Sequence, residues 1–291
     1  MEGQGQLIFS TEIRSGGRAW TLTIEREDLS RLYPGMIRFT LRLSSGGVTL
    51  GLFRTNTYEY SPTVPLDAEQ VIRLKAGEWE AALRRDPELL VAALGRTGRP
   101  APPRGDTEVL IIQGSPRADG NCSIFAGWVA GEAGGLGKRA RVAYLDDLSL
   151  HPCIGCYQCY NTGSCTFDDD MAGLIADLRS ASLLVICTPV YTNTVPGGLK
   201  IFIDRCQAYH AEGSLSDGGE GKRGLLLSVA GRKGRENFVC VKRVVVSFMR
   251  NLGIRPAGEV LIDGMDTIRD IRDVPGIREE ICHLVQDAFR A

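Results

Sequence analysis

A compact run of cysteines is the first feature of this chain that could do chemistry. Four thiols fall within thirteen residues, at Cys153, Cys156, Cys159 and Cys165. Thiolates bind soft metal centres, and four of them complete the usual coordination of a 4Fe-4S cluster. Gly155 and Gly163 permit turns that bring the backbone close to the inorganic sulfides. The spacing predicts a metal site, and an iron-sulfur cluster fits it best.

Two other interpretations of the cysteine run stay open. Structural zinc also takes four cysteines, although its sites usually join two ligand pairs separated by a longer loop. Alternatively, Cys156 and Cys159 form a Cys-x-x-Cys pair of the kind that works as a redox-active dithiol without metal. His151, two residues ahead of Cys153, either tunes a cluster or is an exposed loop residue.

A glycine-containing loop at residues 114–123 is the second candidate site, because it follows an apolar run and precedes a predicted helix. Unpaired N–H groups at a helix N-terminus favour an anion. Ser115, Asn121 and Ser123 add hydrogen-bonding groups, and Arg117 adds positive charge. A terminal phosphate fits this loop, and a capped polar turn is the alternative. This loop lacks the Gly-x-Gly-x-x-Gly pattern of dinucleotide-binding folds, and the chain has no Walker A motif, which argues against NAD-type and nucleotide-hydrolase folds.

The elements that must position these loops begin after a proline- and glycine-rich linker at residues 98–106. Ahead of it, three segments alternate as half-buried strands do: residues 20–26, 37–43 and 48–53. A helical stretch over residues 68–94 follows them. We predict a small α+β domain over residues 1–97, whose function the sequence does not indicate.

After the linker, short apolar runs alternate with helical segments over residues 107–291. The runs are residues 108–113, 140–145, 183–188, 225–230 and 259–262. The predicted helices are near residues 123–134, 169–180, 197–209, 236–252 and 276–290. This alternation predicts a doubly wound, five-stranded parallel sheet of flavodoxin type, which binds its ligand at the carboxyl ends of the strands.

Two more loops are expected at that same edge. The third run leads into Pro189, Val190, Tyr191 and Asn193, and the fourth leads into Ala230 and Gly231. Together with the loop at residues 114–123, they form a phosphate site beside a slot for a flat ring. Taken singly, each is only a turn rich in proline or glycine.

Four motifs resemble the NADPH-dependent FMN reductase family of flavodoxin-like proteins. They are Gly-Ser-Pro-Arg at 114–117, Gly-Asn-Cys-Ser at 120–123, Thr-Pro-Val-Tyr at 188–191 and Gly-Leu-Lys-Ile-Phe-Ile-Asp-Arg at 198–205. The cysteine run followed by Asp-Asp-Met at 169–171 is similar to the iron-sulfur flavoprotein branch of that family. The resemblance covers about residues 107–290 and none of the first hundred.

The resemblance implies positions for FMN and for the cluster. The phosphate loop falls on Ser115, Arg117, Asn121, Cys122 and Ser123. The segments that contact the isoalloxazine ring fall on Pro189, Val190, Tyr191 and Asn193, and more loosely on Ala230 and Gly231. Cys122 departs from the usual Thr or Ser, which removes a hydroxyl contact but keeps the backbone N–H groups. The family also implies a 4Fe-4S cluster on the four cysteines, NAD(P)H or a ferredoxin-like protein as electron donor, and dimers or tetramers.

Composition limits the remaining function classes. With 34 basic and 35 acidic residues and no basic stripe, nucleic-acid binding is not expected. There is no leader-like N-terminus and no run of roughly 18 apolar residues, so we expect no membrane span. Nine cysteines, an odd number, fit a reducing compartment better than a disulfide framework. These features predict a cytoplasmic globular protein.

The hypothesis from sequence is an FMN-dependent oxidoreductase that relays electrons between flavin and an iron-sulfur cluster. Because flavin carries this chemistry, no side-chain acid or base is required. Arg232, Lys233 and Arg235 could attract the phosphates of a nicotinamide cofactor, or they form a solvated basic turn. Two alternatives are a flavin redox sensor or electron carrier without turnover, and a zinc-stabilised flavodoxin-like interaction protein.

Overall fold

The computed structural model describes residues 5–60, 63, 65–95, 105–215 and 221–290. These residues group into two compact units. The first comprises the described parts of Met1–Ala101, Ile154–Thr166 and Ser214–Ser216, and the second those of Pro102–Cys153, Phe167–Gly213 and Asp217–Ala291. Residues 98–104 of the predicted linker lie outside the described residues.

The first unit is built on an antiparallel sheet with the strand order β1-β2-β3-β4. Its strands are β1 (Gln6–Ser15), β2 (Arg18–Asp28), β3 (Ile37–Ser45) and β4 (Val48–Asn56). The sequence indicated the last three but missed β1. This edge strand shows weak alternation, because Ile13 is its one fully buried residue.

Two helices follow the sheet, α1 (Ala68–Arg85) and α2 (Pro87–Gly95). They replace the single helix expected over residues 68–94. Asp86 between them has extended backbone, with φ −158° and ψ 93°. The residue before a proline is restricted to such conformations, so Pro87 ends one helix and begins the next.

The two faces of the antiparallel sheet differ in chemistry. One face packs Trp20, Leu22, Ile24, Phe39, Leu41 and Leu43 against Ile72, Trp79 and Leu83 of α1. Alternation sends the intervening residues to the opposite face, here called the charged face. Its members are Glu25, Glu27, Arg38, Arg42, Arg54 and Asn56. Apolar burial therefore stabilises one side, while the other offers hydrogen-bonding groups.

The second unit contains a five-stranded parallel sheet with the order β6-β5-β7-β8-β9. Its strands are β5 (Val109–Gln113), β6 (Ala140–Tyr144), β7 (Leu183–Pro189), β8 (Arg223–Val229) and β9 (Arg255–Ile262). This is the flavodoxin-like order, which confirms the fold predicted from the five apolar runs. All five residues of β5 are buried, as expected of a strand covered on both faces.

Helices cover this sheet and connect its strands. They are α3 (Asn121–Gly135), α5 (Met171–Ser180), α6 (Gly197–Arg205), α7 (Gln207–Leu215), α8 (Val239–Asn251), α9 (Met265–Ile268) and α10 (Ile277–Arg290). One further short helix, α4 (Cys159–Thr162), lies in the cysteine run and belongs to the first unit. Within the described part of the chain, no helix has the length and apolar character needed to cross a membrane.

Truncation of Leu41 tests the core of the first unit. Leu41 is fully buried on β3, so Leu41→Ala should lower the free energy of unfolding by about 2–5 kcal/mol through lost burial and a cavity. Leu52→Ala on β4 is the control, because its side chain is 44% exposed and its loss should cost less than about 1 kcal/mol. Chemical denaturation measures both, and equal losses would contradict this packing.

Candidate functional site

A cavity of about 560 Å³ opens at the carboxyl edge of the parallel sheet. Its walls come from the segments that follow β5, β7, β8 and β9, within residues 115–124, 189–191, 229–231 and 265–272. The volume is in the range of small-molecule sites, which occur at this edge of doubly wound folds. The cavity is therefore the principal candidate for a ligand site in the second unit.

The loop from β5 to α3 is shaped by a buried glutamine. Gln113 Oε1 accepts the N–H of Ser115 at 3.0 Å, while Gln113 Nε2 donates to the Arg117 carbonyl and to Ser123 Oγ, both at 3.0 Å. Ser115 Oγ accepts the N–H of Arg117 at 3.2 Å. These bonds turn the chain so that the start of α3, at Gly120 and the residues after it, lines the cavity. The N-terminus of this fifteen-residue helix favours an anion there.

Asn121 joins this loop to the segment after β9. Its Nδ2 donates to the Arg269 carbonyl at 2.9 Å, and its Oδ1 accepts the N–H of Ile271 at 3.1 Å. The amide thus braces two walls of the cavity against each other. Its predicted contact with a phosphate stays a prediction.

The opposite wall is apolar and aromatic. Pro189, Val190 and Tyr191 line it, and the Val190 N–H donates to the Val229 carbonyl at 2.8 Å. Tyr191 and Thr194 exchange backbone hydrogen bonds of 2.8 and 2.9 Å across a tight turn. Its central residues have φ of 43° and 64°, as a type I′ turn requires. This turn presents Tyr191, whose side chain is 40% exposed, at the mouth of the cavity.

The segments before and after the cysteine run are joined to each other by a set of hydrogen bonds, here called the closure of the run. Arg205 donates to both carboxylate oxygens of Asp169, at 2.7 and 2.8 Å, and to the His151 carbonyl at 2.6 Å. Asp169 also accepts the His151 N–H at 2.9 Å. The His151 ring stacks on Phe167 with centroids 4.9 Å apart. Residues on both sides of the run are therefore held together by one buried ion pair.

Ionised Asp169 is the centre of this closure. Burial opposes its ionisation, but hydrogen bonds from Arg205 and His151 outweigh that effect and hold the pKa of Asp169 well below its ordinary value. The side chains of Asp169 and Arg205 are only 2% and 1% exposed. Removal of either partner would leave the other as an uncompensated buried charge.

The four cysteines of the run differ in exposure. Cys153 is exposed, and Cys156, Cys159 and Cys165 are half-buried. The backbone between them takes left-handed conformations at Gly155, Tyr157 and Gly163, with φ of 66°, 55° and 71°. Among residues 5–60, 63, 65–95, 105–215 and 221–290, no three His, Cys, Asp or Glu side chains are arranged to hold a metal ion.

Comparison with known proteins identifies the family of the second unit. Residues 107–265 match the family described as NADPH-dependent FMN reductase. The chain belongs to this family. The match includes the loop before α3, the cysteine run and the turn at Tyr191, and it leaves out the antiparallel sheet of the first unit.

Two relatives carry the name iron-sulfur flavoprotein. The protein from Methanocaldococcus jannaschii is 32% identical over 98 residues, which cover 34% of this chain and 51% of that protein. One from Archaeoglobus fulgidus is 26% identical over 185 residues, covering 62% and 80%. The chain thus spans about half the length of the first relative. A solved FMN-dependent NADH-azoreductase from Bacillus anthracis, in complex with FMN, has a TM-score of 0.48 at 14% identity, covering 62% of this chain and 98% of that one.

For this member of the FMN reductase family, the cavity brings together eight of the eleven residues predicted for the flavin site. They are Ser115, Arg117, Asn121, Cys122, Pro189, Val190, Tyr191 and Gly231. The other three are not among its lining residues: Ser123 hydrogen-bonds within the loop, Asn193 lies in the turn, and buried Ala230 pairs with the backbone of Ile262.

Sequence reasoning missed the wall after β9, which contributes Met265, Asp266, Arg269, Asp270 and Arg272. The signal was available, because every parallel strand of such a sheet ends at the ligand edge. The wall packs closely on the segment after β8, since a Cβ at Gly231 would collide with the carboxyl group of Asp266. Hydrogen bonds from Arg272 lower the pKa of Asp270 to about 2, so this wall carries ionised groups of both signs.

Neutralising Asp169 tests the closure of the cysteine run. Asp169→Asn should lower the free energy of unfolding by about 3–5 kcal/mol, because Arg205 stays buried without its counter-charge. The control is Asp204→Asn, which breaks the exposed Lys200–Asp204 pair of α6 and should cost about 0.5 kcal/mol. Denaturation at neutral pH compares the two variants.

The Asp169–Arg205 pair also determines how the free energy of unfolding depends on pH. A lowered folded-state pKa stabilises the fold fully above the unfolded value near 3.8 and progressively less as pH falls below it. The stability gap between wild type and Asp169→Asn should therefore be constant from pH 7 to about 5 and shrink below pH 4. A gap independent of pH down to 3 would contradict an ionised Asp169.

Proposed function

We propose that this chain is an FMN-dependent oxidoreductase whose cavity binds FMN, with the phosphate at the start of α3 and the ring beside Pro189, Val190 and Tyr191. The observation that carries this proposal is that one cavity is lined by two chemically different sets of groups. One set is the start of α3 with Arg117, and the other is the apolar and aromatic segment Pro189, Val190 and Tyr191. Bound FMN would supply hydride and single-electron chemistry, while the chain binds and orients it.

The phosphate end works without a hydroxyl at position 122. Burial raises the pKa of Cys122 to about 12, so this side chain stays a neutral thiol packed into the core. Backbone N–H groups of the first turn of α3 and the guanidinium of Arg117 are left to neutralise the phosphate. Arg269 and Arg272, on the wall that the sequence did not indicate, line the same cavity together with Asp119, Asp266 and Asp270.

We further propose that the four cysteines of the run hold a 4Fe-4S cluster. The donor set fits, because four thiolates are the usual ligands of such a cluster and all four cysteines have exposed surface. Three residues between them have left-handed backbone. The names of the relatives support iron-sulfur over zinc. Bound at these cysteines, such a cluster would supply single-electron transfer to an outside carrier.

The electron donor is proposed to be NAD(P)H or a ferredoxin-like protein, and the assembly a homodimer or tetramer, as the family resemblance implies. Arg232, Lys233 and Arg235 are exposed in the turn after β8 and do not line the cavity. This arrangement fits a solvated basic turn. A nicotinamide that stacks directly on the flavin would need no separate site.

Removal of one ligand thiol tests the cluster. Anaerobically purified protein should contain FMN, iron and acid-labile sulfide, and Cys159→Ala should lose the iron and sulfide while FMN stays bound, since the cavity residues lie elsewhere in the chain. Cys240→Ala, a half-buried cysteine outside the run, is the control and should keep all three. Zinc without labile sulfide in wild type would support the interaction-protein alternative instead.

Removal of the Arg117 side chain tests the proposed phosphate site. Arg117→Ala should weaken FMN binding about 10- to 100-fold, because one charge-assisted hydrogen bond contributes about 1.5–3 kcal/mol. Arg232→Ala removes an exposed arginine outside the cavity and should leave the Kd unchanged. Fluorescence titration of apoprotein with FMN measures both. Equal Kd values for the two variants would contradict the proposed phosphate position.

A further inference from the structure

The charged face of the antiparallel sheet binds the backbone of the cysteine run. Arg38 Nη1 donates to the Tyr160 carbonyl at 2.9 Å, and Arg54 Nη1 donates to the Asn161 carbonyl at 3.0 Å. Both carbonyls belong to α4, and the last carbonyls of a helix have no partner within it and carry partial negative charge. Two arginines from β3 and β4 therefore satisfy the helix that starts at Cys159.

The half-buried carboxylate of Glu59 continues this attachment. Glu59 Oε1 accepts the backbone N–H of Asn56 at 3.0 Å, its Nδ2 at 2.9 Å and Nδ2 of Asn161. Glu59 Oε2 accepts Nε2 of Gln158 at 2.8 Å and Oγ1 of Thr55 at 3.1 Å. Asn56 Nδ2 also donates to Asn161 Oδ1 at 2.9 Å. One carboxylate thus holds side chains on both sides of Cys159.

Aromatic rings hold the same segment from another direction. Tyr33 packs edge-on against Tyr157 and Tyr160 of the cysteine run, with centroids 5.6 and 5.4 Å apart. Tyr58 lies 5.1 Å from Tyr157. The Tyr160 side chain is fully buried. This packing explains how Tyr157 keeps a left-handed backbone, a conformation that costs energy in a non-glycine residue.

Burial of the polar side chains in this network costs free energy, which their hydrogen bonds must offset. Asn56, Thr55 and Asn161 are at most 1% exposed, and buried polar groups stabilise a structure only when their partners are all in place. The network does not surround the flavin cavity, whose lining residues all lie in the second unit. Its bonds converge on residues 157–161, between and beside two of the proposed metal ligands.

We propose that the antiparallel sheet is a positioning element for the metal-ligand loop, with Glu59, Arg38 and Arg54 as its positioning residues. They hold residues 157–161 in one conformation before metal arrives, so that the backbone between and beside Cys156 and Cys159 is already ordered when a cluster binds. The proposal rests on the cluster proposed above for its purpose. The ordering of the loop itself is a property of the metal-free chain and is measurable without metal.

The experiment removes the interacting side chains of Glu59 and Asn161 in separate variants. Glu59→Ala removes the acceptor on the sheet, Asn161→Ala removes its partner on the loop, and the double variant tests whether they act through one another. Glu59→Gln keeps the size and one acceptor oxygen and serves as the conservative rescue. Arg42→Ala is the matched control, because Arg42 lies on the same charged face and pairs with Glu25 at 3.4 Å.

Hydrogen exchange on metal-free, FMN-loaded full-length protein is the first measurement. Amides of residues 157–163 should exchange at least tenfold faster in both alanine variants, with the double variant no faster than the worse single one. Glu59→Gln should recover most of the protection. Amides of α1 report whether the first unit stays folded, and bound FMN reports on the second.

Cluster reconstitution with ferrous iron and sulfide is the second measurement. At limiting iron, the alanine variants should take up less than half the wild-type iron and sulfide, whereas Arg42→Ala and Glu59→Gln should match or approach wild type. Unchanged exchange at residues 157–163 would overturn the positioning role. Faster exchange at residues 157–163 together with wild-type cluster uptake would show that ordering of the loop does not assist cluster binding.

The two measurements distinguish a wrong assignment of the cluster from a wrong positioning role for the sheet. Wild type that takes up no iron or sulfide would refute the cluster while the exchange measurement still decides whether the sheet orders the loop. Should Glu59→Ala lose protection in α1, Asn161→Ala decides the outcome, because it leaves the sheet intact.

Discussion

In a parallel sheet every strand ends at the same edge, and the candidate flavin site follows from that constraint. Loops after β5, β7, β8 and β9 are brought together there although more than a hundred residues separate the first from the last. The chain has only to supply the right groups at each end: helix N–H groups and Arg117 after β5, and a ring-sized apolar wall after β7. Side-chain bonds from Gln113 and Asn121 then fix the loops to one another.

Much of the second unit was readable from the sequence for the same reason. Strands buried on both faces are continuous apolar runs, and β5 with its five buried residues is the clearest of them. The edge rule located the loops at 114–123 and 188–193. The wall at residues 265–272 obeys the same rule and was missed because its sequence resembles no ligand motif. Local bonding was not readable either: the amide of Asn121 is directed to Arg269 and Ile271 by tertiary packing alone.

Only part of the structure of the cysteine run could be predicted from the sequence. Its ligand types and spacing are local and therefore visible in the sequence. Its supports are not local: Asp169 meets Arg205 from 36 residues away, and Asn161 meets Glu59 across 102 residues. The two segments that hold Asp169 and Arg205 were both part of the family resemblance, yet nothing in their spacing indicated that they pair. The half-buried Glu59, in a unit without any recognisable motif, gives no periodic signal at all.

The division of the chain into units has a topological consequence. Residues 154–166 belong to the first unit, while the segments immediately before and after them belong to the second. The polypeptide therefore passes from one unit to the other near the linker, between Cys153 and Ile154, between Thr166 and Phe167, and again around Ser214–Ser216. The first unit is not one continuous stretch of sequence, because it includes residues 154–166 from within the region that matches the FMN reductase family. Insertion, deletion or exchange of this unit in evolution would have to change separate parts of the gene together.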